Sequence, residues 1–270
     1  MIALTEKEFK QLTEFIQTNY GINLTEKKVL VEGRLQNVLI ELGFSNFSDY
    51  FDYIFADRTG GAITILLNKL TTNHTLFLRE IEHFYYFRDK VLPFLASKVS
   101  DRDLRIWSAG CSTGEEPYTL AMIIADYFGF QKEQWNSKIL ATDISQKVLD
   151  IASRGIYGEE QVASIPDLWK RCYFKKNAAG KYAVADPVKN QVIFRRFNLI
   201  TPDYPFKKKF HVIFCKNVMI YFNNQTKTEL VHKLYEITEP GGYLFVGLSE
   251  SLTREMIKYK YVMPAIYRKE

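Results

Sequence analysis

The chain has 270 residues, of which 47% are hydrophobic and 15% are aromatic, so it can bury a sizeable core, and extended disorder is excluded. Its net charge of +5 is mild and is compatible with an acidic protein partner as well as with nucleic acid. No apolar run reaches the roughly 18 residues of a membrane span, and the N-terminal stretch "MIALTEKEFK" lacks the pattern of a secretory signal.

The N-terminal part of the chain has helical periodicity. A first helix is predicted after Thr5, which forms a capping-box pattern with Glu8, and it should end at Gly21. The same periodicity predicts further helices over residues 25–43, 46–55, 62–70 and 80–99. Pro93 should end or kink the last of these helices. We therefore expect an all-α domain over residues 1–72.

From Leu104 onward, short apolar runs alternate with helical segments. Strands are predicted at "LRIWSAG", "KILATDIS", "FHVIFCKNVMIYF" and "GGYLFVGLSE", and helices at "GEEPYTLAMIIADYFG", "QKVLDIASRG" and "NQTKTELVHKLYEIT". This alternation is typical of a mostly parallel, doubly wound α/β sheet. The segment 155–197 interrupts it. We predict a small antiparallel β insertion there, at about residues 171–197, with turns at 177–180 and 186–187.

Polar residues gather where the predicted strands end, which is where ligands bind in such sheets. Gly110 and Gly114 permit a tight turn after the first strand, but the dinucleotide and P-loop patterns are absent. Glu115 and Glu116 follow this turn, and their carboxylates would repel a pyrophosphate but suit an ammonium or a sulfonium. Asp143, at the end of the second strand, is placed to bind ribose hydroxyls. An adenosine with a cationic tail describes S-adenosylmethionine.

A simpler interpretation stays open for each of these residues. Acidic residues at a helix N-terminus are favourable without any ligand, so Glu115 and Glu116 could serve the helix alone. An Asp after a strand is often an N-cap. Asn198 and Asn217 also follow strands, and their amides can both donate and accept, but isolated asparagines often form turns.

The motifs "TTNHTLFLRE", "WSAGCSTGEEPYTLAM", "ATDIS", "FNL" and "CKNVMIYF", in this order, resemble those of the CheR chemoreceptor methyltransferases. The resemblance implies a class I, Rossmann-like methyltransferase domain over residues 73–270, with the β insertion, after the all-α domain. It also implies methyl transfer from S-adenosylmethionine to glutamate side chains on the cytoplasmic helices of chemoreceptors, giving S-adenosylhomocysteine and a γ-glutamyl methyl ester. The implied cofactor-binding residues are Asn73, Thr75, Arg79, Gly110, Glu116, Asp143, Asn198, Leu199, Asn217 and Val218.

Two residues are assigned to catalysis. We expect Arg79 to orient the incoming carboxylate, the cofactor or both, because a guanidinium suits bidentate carboxylate binding. An arginine that only pairs with Glu80 or with a helix C-terminus is the alternative. The resemblance places Tyr221 near the path of methyl transfer. No general base is expected, since a glutamate with a pKa of about 4.3 is already ionised at neutral pH.

The resemblance also implies that the second helix grips acidic receptor helices, through Lys27, Lys28 and Arg34. The short loop of the β insertion favours an enzyme that does not depend on a receptor tether peptide. The cysteines are odd in number and far apart in the sequence, which indicates a cytoplasmic protein. We expect a monomer that binds no metal and no nucleic acid and does not insert into a membrane. The alternatives are a non-catalytic cofactor-binding regulator and a methyltransferase for another substrate, nucleic acid included. The glutamates at the glycine turn argue against an NAD-dependent dehydrogenase.

Overall fold

The computed structural model describes residues 2–250, 252–253 and 256–270. Its N-terminal part consists of the helices α1 (Glu6–Tyr20), α2 (Lys28–Leu42), α3 (Phe47–Ala56) and α4 (Gly61–Leu70). The predicted capping box is confirmed, since the Thr5 hydroxyl accepts a bond from Glu8 N–H and the Glu8 carboxylate accepts one from Thr5 N–H. The predicted end of α1 is confirmed as well, because Gly21 takes a left-handed conformation with φ +70°.

The next helical run does not end at Pro93. Helix α5 (Ile81–Tyr86) widens into a π-helical turn (Phe87–Val91) and continues as α6 (Leu92–Lys98). The Leu92 N–H bonds to Phe87 O in this turn, and Pro93 lies in the first turn of α6. A proline is tolerated where a helix begins again, because its missing N–H has no helical acceptor there. The irregularity that Pro93 requires is therefore located in the turn before it.

The C-terminal part is built on a mostly parallel sheet. Its strands are β1 (Ile106–Ala109), β2 (Ile139–Asp143), β3 (Ile156–Tyr157), β4 (Phe174–Lys176), β5 (Tyr182–Val184), β6 (Val192–Arg196), β7 (Phe210–Cys215), β8 (Thr238–Val246), β9 (Lys260–Met263) and β10 (Ile266–Arg268). Among the described residues, the main sheet has seven strands in the order β6-β2-β1-β7-β8-β10-β9. Neighbours from β6 to β8 are parallel, and β10 pairs antiparallel with both β8 and β9. This topology confirms the predicted doubly wound α/β fold.

Helices cover both faces of this sheet. The helices that follow β1 are α7 (Glu115–Phe128), α8 (Gln146–Arg154), α9 (Asp167–Tyr173), α10 (Asp186–Lys189) and α11 (Asn224–Glu236). Ile213 and Cys215 of β7 lie in a buried cluster with α11 and the N-terminal helices. Val212 and Phe214 lie in a second cluster with α5, α6 and α7. Because alternate residues of a strand point to opposite faces, β7 is buried on both faces, and all of its residues except His211 are apolar.

The predicted β insertion at residues 171–197 is wrong at its C-terminal end. Strand β6 belongs to the main sheet, where it pairs parallel with β2 from Val192 to Arg196. The small antiparallel sheet has the order β3-β5-β4 and already includes Ile156–Tyr157. The turn predicted at 177–180 is confirmed, whereas residues 186–187 begin α10. Alternating apolar residues are typical of any half-buried strand, so the pattern predicted a strand at β6 without indicating its partner.

The strand predicted over "FHVIFCKNVMIYF" is also shorter than expected. Strand β7 ends at Cys215, and Met219–Tyr221 forms a 3₁₀ turn. The Glu250 carboxylate binds the backbone here: it accepts from Asn217 N–H at 2.6 Å and from Ile220 N–H at 3.2 Å. A partner more than thirty residues away in the sequence therefore turns the chain out of the strand.

Candidate active site

A cleft opens at the carboxyl ends of the parallel strands β1, β2, β6 and β7. It holds about 1030 Å³ of space, open solvent at its mouth included. The structure brings every predicted catalytic and cofactor-binding residue into its wall: Asn73, Thr75, Arg79, Gly110, Glu116, Asp143, Asn198, Leu199, Asn217, Val218 and Tyr221. Tyr20 at the end of α1 and Ile22 just after it also line the cleft, so the helical part of the chain forms one side of the site.

The loop after β1 forms the floor of the cleft. Gly110 has φ +93°, and a Cβ at this position would collide with the Val218 side chain. In the same loop, Ser112 N–H donates to Asp143 Oδ2 at 2.9 Å, while Ser145 N–H donates to Asp143 Oδ1 at 3.0 Å. Burial raises the pKa of Asp143, and these backbone bonds oppose the shift. The carboxylate is thereby fixed at the end of β2, where it can accept hydrogen bonds from ligand hydroxyls.

The structure separates the two adjacent glutamates of α7. The Glu115 side chain is turned inward, is 1% exposed, and accepts from the Thr113 hydroxyl at 2.6 Å. The Glu116 carboxylate faces the cleft and accepts from the Ser108 hydroxyl at 2.7 Å. Burial raises the pKa of Glu116, and the nearby Lys216 ammonium opposes the shift. Only the second glutamate can therefore meet a cationic ligand in the cleft.

Side chains from distant segments hold the stretch 72–74 in place. The Tyr221 hydroxyl donates to Thr72 O and accepts from Thr72 N–H, both at 3.0 Å. The Ser112 hydroxyl donates to Asn73 O at 2.8 Å. Arg79 Nη1 donates to His74 O at 3.0 Å. Tyr221 and Arg79 therefore shape the wall of the cleft as well as facing into it.

Asn198 is placed differently from the expectation based on its amide. Its Nδ2 donates to Asn19 O at 2.8 Å, and its Oδ1 accepts from Ile200 N–H at 3.1 Å. Both polar groups of the side chain thus have partners within the protein. Toward the cleft, Asn198 and the buried Leu199 therefore offer backbone groups and apolar surface, and the Asn198 amide links the sheet to the end of α1.

Sequence patterns missed two buried ionisable residues beside the cleft, Lys216 and Glu250. Lys216 follows β7, and its Nζ donates to Arg79 O at 3.0 Å. Glu250 follows β8 by a few residues and accepts from N–H groups of both strand-end loops. Lys216 directly follows its strand, which is close to the pattern that indicated Asp143, and the same rule applied to every strand would have identified it. Glu250 lies farther from the end of β8, so this rule does not indicate it.

We expect Glu250→Gln to lower the free energy of unfolding by about 3 kcal/mol, because the amide turns an NH₂ group toward buried backbone donors. The carboxylate accepts from Asn217, Met219, Ile220 and Gly247 N–H. Chemical denaturation measures the change. The exposed Glu236, changed to Gln, is the matched control and should shift stability by less than ~0.5 kcal/mol. Equal effects of the two substitutions would contradict this role of Glu250.

The predicted receptor-binding residues lie outside the cleft on α2 and at its start. The Lys28 ammonium is 2.6 Å from the Glu6 carboxylate. Arg34 Nη1 donates to Leu70 O at 2.9 Å and so caps the C-terminus of α4, a favourable place for a cation. Lys27 is exposed at the start of α2. Receptor binding by these residues stays a prediction, and two of the three already have partners within the protein.

Two structural features are absent from the described part of the chain. None of its helices is long and apolar enough to span a membrane. Within residues 2–250, 252–253 and 256–270, no group of three or more His, Cys, Asp and Glu side chains is arranged to hold a metal ion.

The fold and the cleft define the class of protein. A doubly wound sheet carries a tight glycine turn after β1, a carboxylate facing the cleft from α7 and a second carboxylate at the end of β2. The lining combines apolar surface with carboxylate, amide and hydroxyl side chains, which suits a nucleoside with a charged tail. The residues fit S-adenosylmethionine: Glu116 could hold its cationic end and Asp143 its ribose hydroxyls. The class is that of the S-adenosylmethionine-dependent methyltransferases.

Comparison with known proteins assigns the family. The family model for the CheR methyltransferase SAM binding domain matches residues 73–267, and that for the CheR all-alpha domain matches residues 7–71. A chemotaxis protein methyltransferase of Borreliella burgdorferi is 40% identical over 274 residues, covering 99% of this chain and 96% of the relative. That of Escherichia coli is 34% identical, covering 93% and 87%. The chain therefore belongs to the CheR methyltransferase family. The predicted cofactor, S-adenosylmethionine, is confirmed.

Proposed function

We propose that the protein methylates glutamate side-chain carboxylates of chemoreceptors in the cytoplasm, in chemotactic adaptation, giving glutamate 5-O-methyl esters and S-adenosylhomocysteine. The names of the relatives, chemotaxis protein methyltransferases, support the process. The matches at residues 7–71 and 73–267 support a domain boundary near residue 72. We propose that the helical domain contributes to receptor binding, with Lys27 exposed just before its second helix.

The guanidinium of Arg79 carries the proposal for a carboxylate substrate. It lines the cleft and donates through Nη1 to His74 O. Within the described residues, 2–250, 252–253 and 256–270, no other hydrogen bond or ion pair of this guanidinium is found. The remaining N–H groups can therefore bind an incoming carboxylate, and the fork geometry of arginine favours two parallel hydrogen bonds.

The reaction depends on alignment of the substrate carboxylate with the methyl group more than on acid–base catalysis. When bound, S-adenosylmethionine supplies a methyl group on a sulfonium. A carboxylate oxygen of the substrate forms a bond to the methyl carbon as the bond from carbon to sulfur breaks, and the opposite charges neutralise each other. Arg79 would hold the carboxylate, while Glu116 and Asp143 would fix the other side of the cleft. Because a glutamate is ionised at neutral pH, no side chain has to remove a proton, and positioning supplies much of the rate.

We expect the protein to transfer radiolabelled methyl groups to receptor-rich membranes, and the label to leave as methanol in alkali. Methyl esters hydrolyse in base, whereas methylated amines keep their methyl groups. Membranes that lack receptors are the matched control and should take up little label. Label that survives alkali, or label that follows nucleic acid in the fractionation, would rule out the proposed ester and favour another substrate.

A further inference from the structure

We propose that Lys216 is a positioning residue of the methyl-transfer site, whose buried ammonium group joins the cofactor-facing carboxylate of Glu116 to the backbone that carries Arg79. The Lys216 side chain is 3% exposed. Its Nζ donates to Arg79 O at 3.0 Å and lies 3.8 Å from Glu116 Oε2. It also lies 3.2 Å from Glu80 Oε2. The inference rests on the proposed function for the role of Arg79 in binding the substrate carboxylate.

The position of Lys216 in the fold restrains both its backbone and its side chain. It follows β7, a central strand of the main sheet, so its backbone is held by the sheet. Its ammonium also lies 4.9 Å from the centroid of the Phe84 ring, on α5. A buried ammonium is stable only with close partners. Here the partners are the Arg79 carbonyl, the Glu80 carboxylate and the Glu116 carboxylate, so the ammonium contacts both groups that it would have to hold in place.

The backbone around Arg79 needs such a restraint. Leu78 and Glu80 have φ of +59° and +58°, a left-handed backbone conformation that residues other than glycine rarely adopt. Glu80 Oε1 accepts from Leu248 N–H at 3.3 Å, and Glu80 Oε2 pairs with Lys216. With the bond from Lys216 to Arg79 O, these contacts hold the strained segment. Without the ammonium, residues 78–80 can relax and carry the Arg79 guanidinium away from the cleft.

The second part of the proposed role is the effect of the Lys216 ammonium on the Glu116 carboxylate, and it depends on the charges around that carboxylate. The titratable side chains that face it or its partners are Lys216, Arg79, Glu80, His83, Cys111 and Cys215. Burial, and then the Lys216 ammonium, lower the pKa of His83 to about 4, so the imidazole is neutral at physiological pH. Burial raises the pKa of both thiols well above the ordinary value, so they are neutral too. Lys216 is the strongest influence that opposes the raised pKa of Glu116.

The test compares Lys216→Met with Lys216→Arg and measures S-adenosylhomocysteine affinity by calorimetry from about pH 6 to about pH 9. The Glu116 carboxylate must be ionised to bind the ligand ammonium. The Met variant, with a higher Glu116 pKa, should lose affinity as pH falls, by up to about tenfold for each pH unit below that pKa. Wild type and Lys216→Arg should show a flatter profile. Lys216→Gln, which keeps a donor for Arg79 O, should also become pH-dependent.

Turnover tests the first part of the proposed role, in which Lys216 holds the backbone that carries Arg79. At saturating S-adenosylmethionine, Lys216→Met should lower kcat for receptor methylation, whereas Lys216→Gln should keep part of it. The matched control is Lys269→Met, which removes another buried lysine that donates to a carbonyl, that of Tyr235. It should leave affinity, pH profile and kcat unchanged.

Wild-type affinity with a wild-type pH profile in either neutral variant, Met or Gln, would overturn the proposal. Lower stability with unchanged affinity, pH profile and kcat would also overturn it, because a purely structural role of Lys216 predicts no change in the pH profile. If Lys216→Met fails to fold, the Gln variant decides by the same criteria. The ligand-binding result does not depend on the methyl acceptor. A wrong acceptor would instead appear as absent receptor methylation by the wild-type protein.

Discussion

Replacing Arg79 by alanine is expected to lower receptor methylation by about a hundredfold or more, while S-adenosylhomocysteine affinity changes by less than about threefold. The guanidinium lines the cleft, and its donors that have no partner among the described residues would align a carboxylate. Loss of alignment raises the barrier of an in-line displacement, while Glu116 and Asp143, which are also proposed to hold the cofactor, remain in the cleft. Initial rates with receptor-rich membranes and calorimetry with S-adenosylhomocysteine measure the two effects separately.

Arg88→Ala is the matched control for this prediction. Arg88 lies in the π-helical turn after α5, pairs with Asp89 and does not line the cleft. Its loss should leave both measurements unchanged, since exposed ion pairs contribute little. Arg79→Lys should retain only part of the rate, because an ammonium cannot form the bidentate contact. Unchanged turnover in Arg79→Ala would remove the residue from catalysis. A collapse of ligand affinity would instead assign it to the cofactor or to holding the stretch 72–74.

Local sequence patterns predicted the parts of the structure that depend on neighbouring residues. The capping box of Thr5 and Glu8 and the stop at Gly21 involve residues that are close in sequence, and both are present. The alternation of strands and helices predicted the sheet, and strand ends predicted Gly110 and Asp143 in the cleft. Such features need no knowledge of tertiary partners.

The features that the sequence could not predict depend on distant partners. The sequence of β6 has the pattern of any half-buried strand, and only its pairing with β2 assigns it to the main sheet. The Asn198 amide is bound to the end of α1, and Arg34 to the end of α4, although both residues were predicted to bind other molecules. Glu115 and Glu116 are neighbours in the chain. Successive helical residues point about 100° apart, so one faces the interior and the other the cleft.

The two parts of the chain build one site together. Ile22, after α1, forms an isolated bridge with Phe222, and Asn23 N–H donates to Tyr221 O at 2.7 Å. Tyr221 in turn binds Thr72, at the end of the helical part. The helical domain is therefore joined to the cleft wall through the segment between α1 and α2 and through its C-terminal end. A receptor that binds this domain would contact an element that already shapes the site.

Glu116→Gln is expected to weaken S-adenosylhomocysteine binding by about tenfold to a hundredfold, equivalent to ~1.4–2.8 kcal/mol. The substitution keeps the size of the side chain and its contact with Ser108 but removes the charge that faces the cleft. Because S-adenosylmethionine has a sulfonium that the product lacks, a larger loss for S-adenosylmethionine would locate Glu116 near the sulfur. Equal losses would locate it at the ammonium. Calorimetry with both ligands distinguishes the two positions.

The adjacent Glu115 provides a control with the same chemistry. Its carboxylate is buried away from the cleft and accepts from the Thr113 hydroxyl and from Gln161 Nε2. Glu115→Gln should therefore lower the free energy of unfolding by about 1–2 kcal/mol while leaving the affinity for both ligands unchanged. Equal losses of affinity in the two variants would show that the glutamates act through the start of α7. In that case the simpler interpretation, acidic residues that stabilise a helix N-terminus, would account for both.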